Sequence, residues 1–417
     1  CIDYAKEQNI TIRKNRITAA STQIDVKTAK AAMFPSLSFS TGQQVVNRPY
    51  QETSSRVSGS EIISSNSKTS YNGNYGLNAS WTLYNGNKRL KTIQQEKLNN
   101  QMAELDVATS ENNIQESIAQ VYIQILYAAE SVKVNENTLQ VSIAQRDRGQ
   151  ELLNAGSIAK SDLAQLEAQV STDRYQLVTA QATLQDYKLQ LKQLLELDGE
   201  NEMNVYLPAL SDENVLLPLP TKKDVYMSAL TLRPEIEASK LSVEASELGI
   251  DIAKAGYLPT ISLSAGIGTN HTSGSDFTFG EQVKNGWNNS IGVSVSVPIF
   301  NNRQTKSAVQ KAKLQRETSL LSLLDEQKTL YKTIEGLWLD ANSAQQRYAA
   351  ANEKLKSTQI SYELISEQFN LGMKNTIELL TEKNNLLQAQ QEQLQAKYMA
   401  ILNTQLLKFY QGDQLAL

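Results

Sequence analysis

Residues able to do chemistry are few in this chain of 417. His271 is its only histidine and Cys1 its only cysteine, so an intramolecular disulfide or a multi-cysteine metal site is unavailable. His271 would be the base of any serine triad, which composition alone leaves open. It lies in Thr269-Asn270-His271-Thr272-Ser273-Gly274, read as a loop, and nothing near it supplies a nucleophile elbow. Gly266-Ile267-Gly268 sits inside an alternating strand pattern and opens no helix, so it is not a dinucleotide loop. The Asn-Gly pairs at Asn72 and Asn85 read as turns. The expectation is therefore no enzyme, no cofactor and no metal. A net charge of −4 without a basic stripe argues against nucleic acid. No run of about 18 apolar residues offers a transmembrane helix.

What does repeat in this chain is architecture. Ala29–Gly42, AKAAMFPSLSFSTG, returns as Ala253–Gly266, AKAGYLPTISLSAG. Tyr84-Asn85 returns at Phe300-Asn301 and Gly156 at Gly372, both with the same offset (300 − 84 and 372 − 156). An unchanged spacing of that length implies a duplicated rigid rod. Between Gly86 and Leu153, and again between Arg303 and Phe369, there is no proline, and Ala, Gln, Glu, Leu and Lys dominate. At ~1.5 Å per residue each stretch makes a helix of roughly 100 Å. Beyond Gly156 a second helix returns. Leu163, Val170, Leu177, Leu184 and Leu191 recur every seventh residue, with Leu166, Ala180 and Leu194 on the adjoining seam. Leu380, Leu387, Leu394 and Ile401 keep that period in the second copy. Each copy thus contains a helical hairpin, with tips at Asn154-Ala155-Gly156 and Asn370-Leu371-Gly372.

The strands read as membrane strands. Leu37 and Phe39 alternate with Ser36, Ser38 and Ser40, and Tyr75, Leu77, Ala79, Trp81 and Leu83 with Gly76, Asn78, Ser80 and Thr82. Ile261–Gly268 and Ile291–Ile299 alternate in the same way. A soluble sandwich would put Lys or Glu on its wet face; Ser, Gly and Asn suit the lumen of a lipid-embedded barrel. Four strands cannot close such a barrel, and open edges are not tolerated in lipid, so several protomers must share one. Asn47–Ser70 and Thr269–Asn289 read as long extracellular loops, and Trp81 and Trp287 as a membrane aromatic girdle.

A duplicated unit of helix, Ala-Lys-x-x-x-x-Pro, strand pair, aromatic-Asn, long helix and glycine tip resembles the TolC-type outer-membrane efflux proteins. The most specific segments are IAKAGYLPTISLSAG at 252–266, VSVPIFNNR at 295–303 and FNLGMKNTIELL at 369–380. The resemblance implies a mainly α chain with membrane β: a homotrimer whose 12-stranded barrel continues as a 12-helix tunnel. The implied organisation is a first repeat at 1–198 with strands near 36–46 and 71–84, and a second at 225–417 with strands near 260–268 and 287–299. A Pro-rich linker at 199–224 would join them in the belt around the tunnel. The implied role is a passive exit duct for efflux or type I secretion, in the outer membrane with its tunnel in the periplasm. It would dock to a periplasmic adaptor (membrane fusion protein) and an inner-membrane pump such as an RND or ABC transporter. A soluble periplasmic coiled-coil scaffold is the alternative.

In that family the hairpin tips close the aperture, and acidic residues six positions past the tip glycine line it. Those positions here are Asp162 and Glu378, and a three-fold ring of Glu378 would attract cations. The family's second aspartate is here Thr381, and its Tyr and Arg, which hold the first-copy Asp, are Phe369 and Lys374. Phe cannot donate the phenolic hydrogen bond and Lys lacks the guanidinium fork, so the family's lock is altered here, although an Asp162–Lys374 pair could still form. Gly156, Ser157, Gly372 and Lys374 would form the adaptor-docking tip. Some relatives are lipoproteins acylated on an N-terminal cysteine. Helix begins at once after Cys1, however, with no spacer, so Cys1 is expected as a buried helical residue of a truncated chain.

Overall fold

The computed structural model describes residues 1–50, 54–58, 61–65, 68–198, 203–208 and 215–415. In chain order these form α1 (Ile2–Gln8), α2 (Ile10–Ala31), β1 (Ser36–Asn47), β2 (Ser54–Ser58), β3 (Glu61–Ser65) and β4 (Thr69–Asn85). The first hairpin follows as α3 (Lys88–Asn154) and α4 (Lys160–Leu194). Then come α5 (Lys222–Leu232), α6 (Pro234–Lys254), β5 (Thr260–Thr272), α7 (Phe279–Asn285) and β6 (Asn288–Ser296). The second hairpin is α8 (Gln304–Asn370) and α9 (Thr376–Gln411). Of the Pro-rich linker, residues 199–202 and 209–214 lie outside the described residues.

The absence of proline inside the rods lets α3 and α8 each run 67 residues without losing a backbone donor. Thr221 caps α5, its hydroxyl accepting from the Asp224 amide at 3.2 Å. No helix among the described residues is long and apolar enough to cross a membrane.

Two compact units emerge. The first comprises 1–19, 103–239 and 322–417, and is helical apart from its connecting segments. Its core repeats the duplication: Ala5 and Ala229, and Ile12 and Ile236, are fully buried pairs with a common offset (229 − 5 and 236 − 12). One cluster gathers Ile123, Leu126, Tyr348, Tyr398 and Leu402, and a second gathers Val225, Ile236, Ile334 and Leu407. Arg233, in the extended link between α5 and α6, is buried: it meets Glu116 at 2.7 Å and lies 3.6 Å from the Tyr410 ring centre. Burial, with the Glu116 charge adding to it, pushes the Tyr410 phenol up to about 12.

The second unit, 20–102 and 240–321, holds an antiparallel sheet in the order β1-β4-β5-β6. Its register sorts side chains into rows. Leu37, Ala79, Ala265 and Ile291 stand opposite one another on one face; Ser38, Asn78, Gly266 and Ser290 do so on the other. The apolar face is left exposed: Ile291 is 80% accessible, Leu37 69% and Val293 66%. A soluble protein would bury such a patch.

Several local expectations are corrected. Asn47–Ser70 is not a plain loop, because it carries the β2–β3 hairpin and the start of β4. Thr269–Asn289 contains the end of β5 and the capped helix α7. Asn72 is no turn and His271 is in no loop: both lie in paired strands, where His271 stands opposite Gly73. A side chain on Gly73 would collide with the His271 ring, so glycine makes the room that the imidazole fills. The ring also stacks on Tyr75, with centroids 5.9 Å apart. Asn85 ends β4, paired with Thr260, and the turn follows it at Gly86-Asn87, with φ +66° and +63°. Cys1 is exposed and stands as the N-cap of α1, so it is not the buried helical residue expected.

Candidate gate at the hairpin tips

Both rods end in the same way. Gly156 and Gly372 adopt left-handed φ values of +73° and +75°. At the first tip Ser157 N–H donates to Leu152 O at 2.8 Å and Gly156 N–H to Leu153 O at 2.9 Å. At the second Met373 N–H donates to Gln368 O at 2.8 Å and Gly372 N–H to Phe369 O at 2.9 Å. These nested bonds satisfy the last carbonyls of each rod, and glycine adopts the required backbone without strain. Nothing lies within 4 Å of where a side chain on either glycine would begin. Ser157 is exposed beside the first.

The return helices start with carboxylates turned back on their own backbones. Asp162 accepts from the Ala159 amide at 3.0 Å. Glu378 accepts from the Asn375 amide at 3.2 Å, while Asn375 Oδ1 accepts from the Glu378 amide at 2.9 Å, completing a capping box. Lys374 donates to the other Glu378 oxygen. The Lys374 hydrogen bond first, and the Asn375 amide second, hold the Glu378 carboxyl below its usual range.

Within the protomer Lys374, just before α9, pairs with Glu378 four residues on. Asp162 is engaged by the Ala159 amide. Phe369 is 3% exposed, so its ring belongs to the inside of the tip and not to an open passage. Thr381 donates to Ile377 O at 2.8 Å. It lines a shallow polar groove with Gln165, Gln169 and Thr172 of α4 and Ile377 and Asn384 of α9.

A buried cluster one level above the tips was missed in the sequence. Ser142 of α3, Asp173 of α4 and Lys383 of α9 are each at most 3% exposed and are mutually bonded. Asp173 occupies the seam between Leu166 and Ala180, where a charge in a heptad was the available signal. Among the described residues no group of His, Cys, Asp and Glu could hold a metal ion.

A half-apolar antiparallel sheet carried on paired long helices that turn at left-handed glycines is the fold of an outer-membrane channel protomer. A solved structure of CusC superposes with a TM-score of 0.83 at 19% identity, covering 99% of this chain and 91% of that one. The chain belongs to the outer membrane efflux protein family, whose profile matches residues 1–196 and 225–412. It is 24% identical over 294 residues to the outer membrane efflux protein BepC of Brucella suis, covering 70% of this chain and 61% of BepC. It is 25% identical over 300 residues to the outer membrane protein TolC of Escherichia coli, covering 68% and 58%. The matches thus span about three-fifths of those relatives. Membership places the chain in the outer membrane, among efflux proteins.

Proposed function

We propose that this chain is the passive exit duct of a tripartite efflux or type I secretion system. Three copies each lend four strands to one 12-stranded barrel, and their hairpins build a 12-helix periplasmic tunnel. The observation that carries this reading is the sheet: β1 and β6 are left as open edges, and one face of alternating residues is apolar and exposed. In lipid such edges must pair with other copies, since unsatisfied backbone groups there cost several kcal/mol each, roughly. Exposed Ile10, Ile17 and Ile24 on α2, and Leu314 and Leu321 on α8, recur every seventh residue and suit helix contacts between copies.

In this reading 1–198 and 225–417 are the two repeats, with 199–224 joining them in an equatorial belt. Gly156, Ser157, Gly372 and Lys374 form the tip that meets a periplasmic adaptor, itself coupled to an inner-membrane RND or ABC pump. Glu378, with Asp162 behind it, gives the aperture its cation preference, while Thr381 and Phe369 contribute wall and packing. The small polar lumen side chains select little, so cargo is chosen by the partners.

Membrane fractionation followed by light scattering in mild detergent tests the reading. The expected result is an outer-membrane species of three times the protomer mass. A soluble monomer that keeps its strands would support the coiled-coil scaffold instead.

A further inference from the structure

We propose that Ser142, Asp173 and Lys383 form a buried polar latch that fixes α9 against the α3–α4 hairpin and thereby sets the closed position of the tips. The inference rests on the duct reading and adds positioning residues that lie away from the aperture. Asp173 accepts from Ser142 and Lys383 through one oxygen, and from Gln169 through the other at 2.9 Å. Ser142 in turn accepts from Lys383, so every member serves two others. Gln169 also reaches Asn384 of α9 at 3.4 Å, a second tie between the same helices.

Three features make this more than packing. First, the cluster breaks the duplication: at the common offset, Asp173 corresponds to buried Ala389 and Lys383 to exposed Glu167 (389 − 173 and 383 − 167). One side of the repeat carries an ionic knot that the other lacks. Second, the neighbouring contacts are apolar and uninformative about register. Leu163, Leu166 and Leu379 are buried and apolar, and apolar contact is non-directional, whereas a buried charge pair is satisfied in one arrangement only. Third, Lys383 lies five residues beyond Glu378 on α9, about 7–8 Å along the axis. A shift of α9 at the latch is therefore delivered to the first turn that carries Glu378. Burial pushes the Lys383 ammonium down from its ordinary range against the pull of Asp173, consistent with charges held out of water. Separation of the helices must hydrate both charges together, which favours two discrete positions over a gradual slide.

The test uses the full-length protein reconstituted as purified, in planar bilayers, with thermal unfolding and oligomer mass measured in parallel. Replacing the pair by apolar side chains, Asp173→Leu with Lys383→Met, removes the latch without leaving one charge stranded. The open fraction is expected to rise about tenfold, an ordinary size for coupling between contacting residues, while mass is unchanged. The exchange Asp173→Lys with Lys383→Asp should recover much of the closed state. Removing the exposed α8–α9 pair, Lys354→Ala with Glu392→Ala, should leave the open fraction unchanged. A double apolar variant that conducts like the unaltered protein overturns the latch, and so does one that no longer assembles, which would make the cluster a folding element. If the unaltered protein forms no pore, the duct reading itself fails.

Discussion

Replacing Gly372 by alanine isolates the backbone geometry of the tip. The glycine sits at φ +75°, and no atom lies within 4 Å of a would-be Cβ, so alanine meets no steric obstacle. Its cost is that of holding an L-residue in the left-handed region, about 1–2 kcal/mol. That energy is borne by the two bonds closing the rod, from Gly372 N–H to Phe369 O and from Met373 N–H to Gln368 O. Phe369, 3% exposed, anchors the turn below, so local opening rises while the hairpin persists. Converted at ~1.4 kcal/mol per factor of ten, exchange of the Met373 amide should quicken about 5- to 30-fold. Gly372→Asn should recover part of this, because Asn tolerates left-handed backbone. Gly336→Ala is the control of opposite sign: it too has open space, but lies within α8 without a left-handed φ. That change should gain about 1 kcal/mol of helix stability. Hydrogen exchange on the purified protein measures all three. Less than a twofold change at Met373, or the same sign for Gly336→Ala and Gly372→Ala, would refute the reasoning. If the proposed duct role holds, bulky residues at Gly156 and Gly372 together should abolish efflux while oligomer mass stays the same.

Two further outcomes follow from the same turn. Glu378→Gln should weaken block by multivalent cations and lower cation preference in planar bilayers. Because Lys374 and the Asn375 amide lower the Glu378 carboxyl, its ion pair contributes fully above the ordinary value of 4.5 and is lost as pH falls through the lowered one. Conductance should therefore stay constant down to that acidic window; a transition near neutral pH would show that crowded carboxylates dominate over Lys374. Phe369→Ala removes a buried ring and should cost about 3–5 kcal/mol locally, seen as loss of protease resistance at the second tip. Unchanged digestion there would place the ring outside the packed tip.

The rods, tips and strand faces were legible because each follows from a local rule. A span without proline propagates a helix, a glycine after it turns the chain, and alternation of period two sorts the sheet into apolar and Ser/Gly/Asn faces. Heptad spacing likewise marked the α4 seams as inward: Leu163, Leu166, Val170 and Leu191 are buried, while Leu177, Ala180, Leu184 and Leu194 are half-buried. Strand ends were not legible. Asn72 and His271 carry turn and loop chemistry, and only their cross-strand neighbours keep them extended, with Gly73 yielding space to the imidazole. The Glu378 partner was set by local geometry: Lys374 pairs with the carboxylate four residues on, and not with Asp162 across the hairpins. The latch is the opposite case: Asp173 finds Ser142 at 31 residues and Lys383 at 210 residues of separation. Periodicity says which residues face a seam; which seam meets which is settled only when whole helices pack and a buried charge must find its one complement.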